Sequence, residues 1–80
     1  MKLQWRIVED SLGSCYFAES PVGNYHVASP ERDDPWTVCF LARGHIEAKA
    51  YRQWANLNDF DDVEEAKAFA EKHAAAQAAE

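Results

Sequence analysis

Residues 60–73 read FDDVEEAKAFAEKH, and this stretch predicts the helix on which the fold depends. Its apolar and small residues recur every three or four positions, as they do in a helix with one face towards a core. They are Val63, Ala66, Phe69, Ala70, His73 and Ala74. Lys67 and Glu71 are four residues apart, which predicts an ion pair on the other side of the helix. We therefore expect an amphipathic helix at about residues 63–76, followed by a frayed tail at 77–80.

An acidic pair at capping-box spacing predicts where this helix begins. Asp62 precedes the apolar run, and Glu65 follows three residues later. In a capping box, each of two such side chains accepts a hydrogen bond from a free backbone N–H of the first turn. Negative charges in the first turn are also stabilised by the positive end of the helix dipole. This interpretation assigns Asp62 and Glu65 to helix initiation, whereas Asp59, Asp61 and Glu64 are not needed for it.

Length and charge limit the classes of function. Eighty residues make a single domain, spanning 1–80, with a modest core. The net charge of −6 and the pI near 4.9 argue against binding to a nucleic-acid backbone and favour a partner with a basic surface. No apolar run has the length that spans a bilayer, and charged residues interrupt the N-terminal segment, so we expect no signal peptide and a cytoplasmic location.

Five segments ahead of the helix have the composition of short strands, most of them with alternating faces. They are 2–8, 14–19, 24–29, 36–41 and 45–53. The Ser-Pro-Val-Gly sequence at 20–23 predicts a tight turn that joins the second and third into a hairpin. The fourth is apolar on both faces, which indicates a central strand or one covered on both sides. The fifth is rich in alanine, a poor strand former, so a helix at 46–54 is the alternative.

Together these elements predict an α+β domain: an antiparallel meander of four or five strands, over about residues 2–53, with one C-terminal amphipathic helix packed on one face. A single helix covers only part of such a sheet. The other face is therefore expected to expose aromatic side chains, a feature typical of binding or dimerisation surfaces. The candidates are Trp5, Tyr16, Tyr25 and Trp54.

The histidines and cysteines form no recognisable motif. His26, His45 and His73 are far apart, and none has a second ligand at zinc-motif spacing. We interpret His73 as the end of the helix, where a cation suits the dipole. Cys15 and Cys39 fall in apolar runs that raise a thiol pKa, so we expect buried thiols, with a disulfide only if their strands are adjacent.

Paired carboxylates are abundant, but they lie in loops and at a helix start, where solvation or capping explains them. The segment 58–62 lacks the glycine and the final glutamate of an EF-hand loop. We therefore expect a protein that is not an enzyme and that has no metal site and no cofactor.

The predicted binding site consists of acidic contacts and an apolar anchor. The anionic contacts are Asp33, Asp34, Asp59, Asp61, Asp62 and Glu64, and the anchor is Tyr51 or Trp54. Such an acidic patch speeds association with a basic groove and makes binding dependent on salt. One alternative is a small nucleic-acid-binding or regulatory domain that uses Arg6, Lys49, Arg52 and the sheet aromatics to stack bases. Another is a self-associating structural protein, for example a homodimer, that buries the open sheet face.

A longer pattern resembles a known class of proteins. It combines a tryptophan in the first strand, the run FAESPVGNYHV at 17–27, a Trp-led apolar strand and the run FDDVEEAKAFAEKHA at 60–74. This resembles the small accessory proteins of phages and prophages of Gram-negative bacteria, in which a short meander ends in a helix of the form Phe-x-x-x-Glu-Glu-Ala-Lys. The class includes anti-CRISPR proteins, which act without catalysis by covering nucleic-acid-binding or nuclease surfaces. The resemblance implies an inhibitor in the bacterial host cytosol, with a CRISPR effector subunit as the candidate partner.

Overall fold

A computed structural model describes residues 2–10, 13–29 and 35–79, which form one antiparallel sheet and two helices. The strands are β1 Arg6–Asp10, β2 Gly13–Ser20, β3 Gly23–Ala28, β4 Trp36–Ala42 and β5 Ala55–Phe60. The helix α1, Arg43–Glu47, lies between β4 and β5, and α2, Val63–Ala78, follows β5. Neighbouring strands in the sheet are neighbours in the chain. The predicted α+β meander with a C-terminal helix is therefore confirmed.

The turn between β2 and β3 lies where the Ser-Pro-Val-Gly sequence predicted it. The Ser20 hydroxyl donates a hydrogen bond to the Gly23 carbonyl at 2.7 Å and fastens the turn. Gly23 has a φ of +152°, and a Cβ there would collide with the Leu41 carbonyl oxygen of β4. Glycine is therefore required at the point where the hairpin meets β4.

The core lies between α2 and one face of the sheet. Its buried residues are Leu3, Ala18, Tyr25, Val27, Val38, Ala66, Ala70 and Ala74. The α2 members recur every four residues, so they form one stripe, and their small side chains let the helix backbone approach the sheet. Beside the stripe, the rings of Phe60 and Phe69 pack with their centroids 5.3 Å apart. The helix face predicted from the sequence is therefore the one that is buried.

Three details of α2 differ from the prediction. Asp62 is the N-cap residue, but its side chain is exposed and makes no cap hydrogen bond. Lys67 does not pair with Glu71: its ammonium lies 3.8 Å from the Tyr16 ring centroid, in a cation–π contact, while Glu71 accepts from the backbone N–H of Leu3 at 2.7 Å. The helix also continues to Ala78, beyond the predicted end at 76, because its alanines have high helix propensity.

The fifth strand is Ala55–Phe60, so the strand predicted at 45–53 was wrong. Residues 43–47 form α1, and turns follow at 48–49 and 51–52, which partly agrees with the alternative helix at 46–54. Alanine favours helix over strand, and this local preference prevailed. The sequence of β5 shows little alternation of apolar and polar residues, because its pairing with β4 has a register shift between Val38 and Cys39. Parts of the predicted turns at 9–13 and 30–35 lie outside the described residues.

Different helices pack against the two apolar faces of β4. Trp36, Val38 and Phe40 belong to the core against α2. Leu41 lies on the opposite face by register and is only 2 % exposed, because α1 packs against β3 and β4 there. β4 is therefore an internal strand, and both of its faces are covered at the end that contains Leu41. The central strand of the sheet is β3.

His73 lies inside α2 and is part of the packing, so its assignment to the helix end was wrong. The hydroxyl of Tyr25 and Nδ1 of His73 are 2.7 Å apart, within hydrogen-bond distance. The imidazole also packs edge-on against Tyr25 and Phe40, with centroid distances of 5.6 and 4.8 Å. The Tyr25–His73 hydrogen bond thus joins α2 to the central strand.

This hydrogen bond gives a testable pH dependence. Burial raises the pKa of Tyr25 from 10.0 to about 12, so the folded state holds the neutral phenol. The resulting stabilisation is fully present below pH 10 and is lost as the pH rises towards 12. The Tyr25→Phe variant should lose about 1 kcal/mol at neutral pH through the missing hydrogen bond. Between pH 10 and pH 12, the free energy of unfolding of Tyr25→Phe, measured by urea denaturation, should fall less than that of the wild type.

The control for this experiment is Tyr51→Phe, since Tyr51 is 56 % exposed. Its alkaline stability curve should follow that of the wild type. Parallel curves for Tyr25→Phe and the wild type would contradict the proposed linkage.

Candidate functional site

The sheet face opposite α2, here called the open face, has a row of side chains aligned by the strand register. Across β1 to β5 the successive partners are Arg6, Phe17, His26, Cys39 and Asn56. The Arg6 guanidinium lies 5.4 Å from the Phe17 ring centroid and forms an ion pair with Glu19 at 2.9 Å. The row mixes aromatic, polar and charged groups that are far apart in the sequence.

One end of the open face is covered by residues 43–54. The Arg43 guanidinium donates to the Ser20 carbonyl at 2.5 Å and lies 3.5 Å from Oδ1 of Asn24. The Trp54 ring meets the His26 ring edge-on, with centroids 6.0 Å apart. This cover leaves the β1 side of the face accessible, where Val8 is 48 % exposed.

The aromatic patch predicted for this face was mostly wrong. Tyr25 is fully buried, and Trp5 and Tyr16 pack partly buried against the α2 core. Only Trp54 of the four candidates lies on the open face, where it is half-buried over His26. Alternation along a strand separates two sets of side chains, but it does not say which set a helix will cover.

The register brings one cysteine and one histidine together, which the sequence spacing did not show. His26 and Cys39 are direct cross-strand partners, and the Cys39 thiol donates to Oδ1 of Asn56 at 3.1 Å. Burial raises the pKa of the Cys39 thiol, and the nearby Asp59 carboxylate raises it further. Burial lowers the pKa of His26. Both shifts favour the neutral groups, whereas a nucleophilic Cys–His pair needs a thiolate beside an imidazolium.

The two cysteines do not lie on adjacent strands. Cys15 is on β2 and Cys39 on β4, with β3 between them, so about 10 Å separates their backbones. A disulfide requires Cα atoms within about 7 Å, and neither cysteine forms one. Over residues 2–10, 13–29 and 35–79, no three His, Cys, Asp or Glu side chains are grouped so that they could hold a metal ion.

The junction between β5 and α2 is an exposed cluster of carboxylates, which we call the acidic corner. Its members are Asp59, Asp61, Asp62, Glu64 and Glu65, all exposed. The Thr37 hydroxyl donates to Asp59 at 2.7 Å, and the Lys67 ammonium lies 3.7 Å from Glu64. Because Asp62 makes no side-chain cap bond, its carboxylate is available to a partner, contrary to the capping-box interpretation.

The structure separates the predicted apolar anchor from the acidic corner. Tyr51 and Trp54 precede β5, whereas the corner follows it, so about 20 Å of strand lies between them. Tyr51 is strongly exposed, and Trp54 is half-buried. The remaining predicted contacts, Asp33 and Asp34, lie outside the described residues.

The basic residues of the alternative hypothesis are also divided. Lys49 and Arg52 are exposed in the connection between α1 and β5. Arg6 is on the edge strand β1, where it lines a groove of about 320 Å³ with Gln4 and Glu19. Its ion pair with Glu19 offsets the positive charge that nucleic-acid binding would need.

Comparisons with protein-family models, with curated proteins and with solved structures found no match to this chain. In the part of the chain that the structure describes, neither helix has the length and apolar character required to cross a membrane.

Proposed function

We propose that this protein is a non-enzymatic binding module that docks on a basic protein surface through the acidic corner. The observation behind this proposal is the concentration of exposed carboxylates within residues 59–65, in a chain of net charge −6. Charge of one sign at a corner steers an oppositely charged partner and speeds its association.

Lys67, a basic residue beside the corner, does little to neutralise it. The Lys67 side chain is only 18 % exposed, and its ammonium faces the Tyr16 ring. Its contact with Glu64 is long, at 3.7 Å, and Glu64 remains 75 % exposed. The negative potential of the corner is therefore directed towards solvent.

A single partner can reach both the corner and the apolar anchor. A standard interface buries about 800 Å² on each side, which is a patch about 30 Å across. The separation of about 20 Å between Trp54 and the corner fits within this span. Such a partner lies along β5, with Tyr51 or Trp54 at one end and the carboxylates at the other.

The resemblance to small phage proteins extends the proposal to an inhibitor. An acidic module that occupies a basic groove excludes nucleic acid from it without any chemical step. We accordingly propose a nucleic-acid-handling complex of the bacterial host cytosol as the target, and an anti-CRISPR-like action on an effector subunit as one form of it.

Charge reversal at the corner tests this proposal. Tagged protein would be used to capture partners from a nuclease-treated lysate of a Gram-negative host, at low and at high salt. With the purified partner, Asp61→Lys should weaken binding about tenfold or more, because a carboxylate–cation contact becomes a repulsion. The matched control is Glu9→Lys, the same charge change on β1, which should bind like the wild type.

Two outcomes would overturn the proposal. Binding that is indifferent to both salt and Asp61→Lys would exclude docking through the acidic corner. A partner that keeps its full affinity for nucleic acid when saturated with this protein would exclude the inhibitory part.

The nucleic-acid-binding alternative has less support, since Arg6 is on β1 and is paired with Glu19, whereas Lys49 and Arg52 lie in the connection between α1 and β5. A mobility-shift assay with single- and double-stranded DNA and RNA separates the two hypotheses. Binding tighter than the non-specific range, roughly 10⁻⁴ M, would favour the alternative.

A further inference from the structure

β1 is an edge strand of the sheet. Within the described part of the chain it pairs only with β2. Two of its residues, Ile7 and Val8, are 59 % and 48 % exposed, and as consecutive residues they project from opposite sheet faces. An edge strand with unpaired backbone groups and exposed apolar side chains is a template for pairing with another chain.

Symmetry restricts how a second copy can pair with this edge. A twofold axis perpendicular to the sheet makes the two β1 strands antiparallel, and each residue then faces one on the same side of the sheet. A register centred on Val8 pairs all five residues of the strand. Val8 then faces its own copy, Ile7 faces Glu9, and Arg6 faces Asp10.

This register accounts for the exposed apolar residues of β1. The two Val8 side chains meet directly on the open face. The two Ile7 side chains are diagonal neighbours on the α2 face, within reach of each other.

Neighbouring registers are worse by the same criteria. Centring the pair on Glu9 places two glutamates face to face, a repulsive arrangement. Centring it on Ile7 places Arg6 opposite Val8 and shortens the paired segment. The charge pattern of the strand therefore selects the Val8-centred arrangement.

We propose that this protein forms a symmetric homodimer through antiparallel β1–β1 pairing, which joins the two sheets into one. The joint is smaller than a standard interface, so dimerisation should depend on concentration in the micromolar to millimolar range. The acidic corners lie at the far edges of the joined sheet, so the dimer does not depend on the proposed function.

Sedimentation velocity over about 10 μM to 1 mM tests the dimer. The wild type should shift from monomer towards dimer as the concentration rises. Val8→Lys places two like charges face to face at the twofold axis, so it should remain monomeric throughout. The control Tyr51→Lys removes a similarly exposed apolar group away from β1 and should dimerise like the wild type. Circular dichroism verifies that each variant is folded.

A charge exchange tests the register itself. Ile7→Glu should weaken self-association about tenfold, because its glutamate faces Glu9 of the other copy, and Glu9→Lys is its complementary variant. A mixture of the two variants should restore association, since each changed residue then faces an opposite charge. The amide hydrogen exchange of residues 6–10 in the wild type should also slow with rising concentration. A monomer at all concentrations, a dimer that survives Val8→Lys, or a mixture without restored association would each overturn the proposal.

Discussion

Replacing Gly23 with alanine should destabilise the fold by about 3 kcal/mol or more, the largest effect that we expect from a single methyl group. The added Cβ would lie 2.7 Å from Cε1 of Phe40 and closer still to the backbone oxygen of Leu41. The φ of +152° is itself unfavourable for any residue with a side chain. Neither the β2–β3 turn nor the β3–β4 pairing can relax without losing ladder hydrogen bonds.

Urea denaturation followed by circular dichroism measures this loss, and Gly44→Ala is its matched control. Gly44 lies in α1, and no atom is within 4 Å of the position that its Cβ would take. Alanine there should be neutral or stabilise the protein by about 0.5–1 kcal/mol. Equal effects of the two substitutions would contradict the close contact between the hairpin and β4.

Enlarging Ala70 to leucine should cost about 2–3 kcal/mol. Ala70 is fully buried in the middle of the alanine stripe of α2. The small residue sets the spacing between helix and sheet, and the extra carbon atoms must either push α2 away or force strained side chains on β3 and β4. The same displacement would weaken the Tyr25–His73 hydrogen bond.

The control is Ala68→Leu, on the exposed side of the same helix. Leucine and alanine are both good helix formers, so its effect on the free energy of unfolding should stay within about 0.5 kcal/mol. Thermal and urea denaturation compare the two variants. If Ala70→Leu were as stable as the wild type, α2 would not pack closely on the sheet.

Local sequence signals predicted most of the fold. The period of α2 and the Pro-Gly turn between β2 and β3 depend on residues close in the chain, and both are found in the structure. The wrong strand prediction at 45–53 also has a local cause. Alanines favour helix there, and the irregular register of β5 hid the alternation of the strand that follows.

The candidate site could be predicted less well from such local signals. The exposure of Asp59, Asp61, Asp62 and Glu64 follows from their charge and was predictable. That Asp62 leaves its carboxylate uncommitted at the N-cap is a matter of side-chain conformation, which the residue type does not fix. The approach of His26 to Cys39 required the pairing of β3 with β4.

The sequence by itself determined that this is an acidic α+β meander with a C-terminal helix, because helix period, turn residues and net charge are properties of neighbouring residues. Only the tertiary structure decided which sheet face α2 covers, that α1 and Trp54 shield one end of the other, and that β1 is left with Ile7 and Val8 exposed. These features depend on contacts between distant segments, which arise from the competition of all apolar surfaces for burial. The stretch at 60–73 is thus both the helix that organises the core and, at its acidic start, the surface left for a partner.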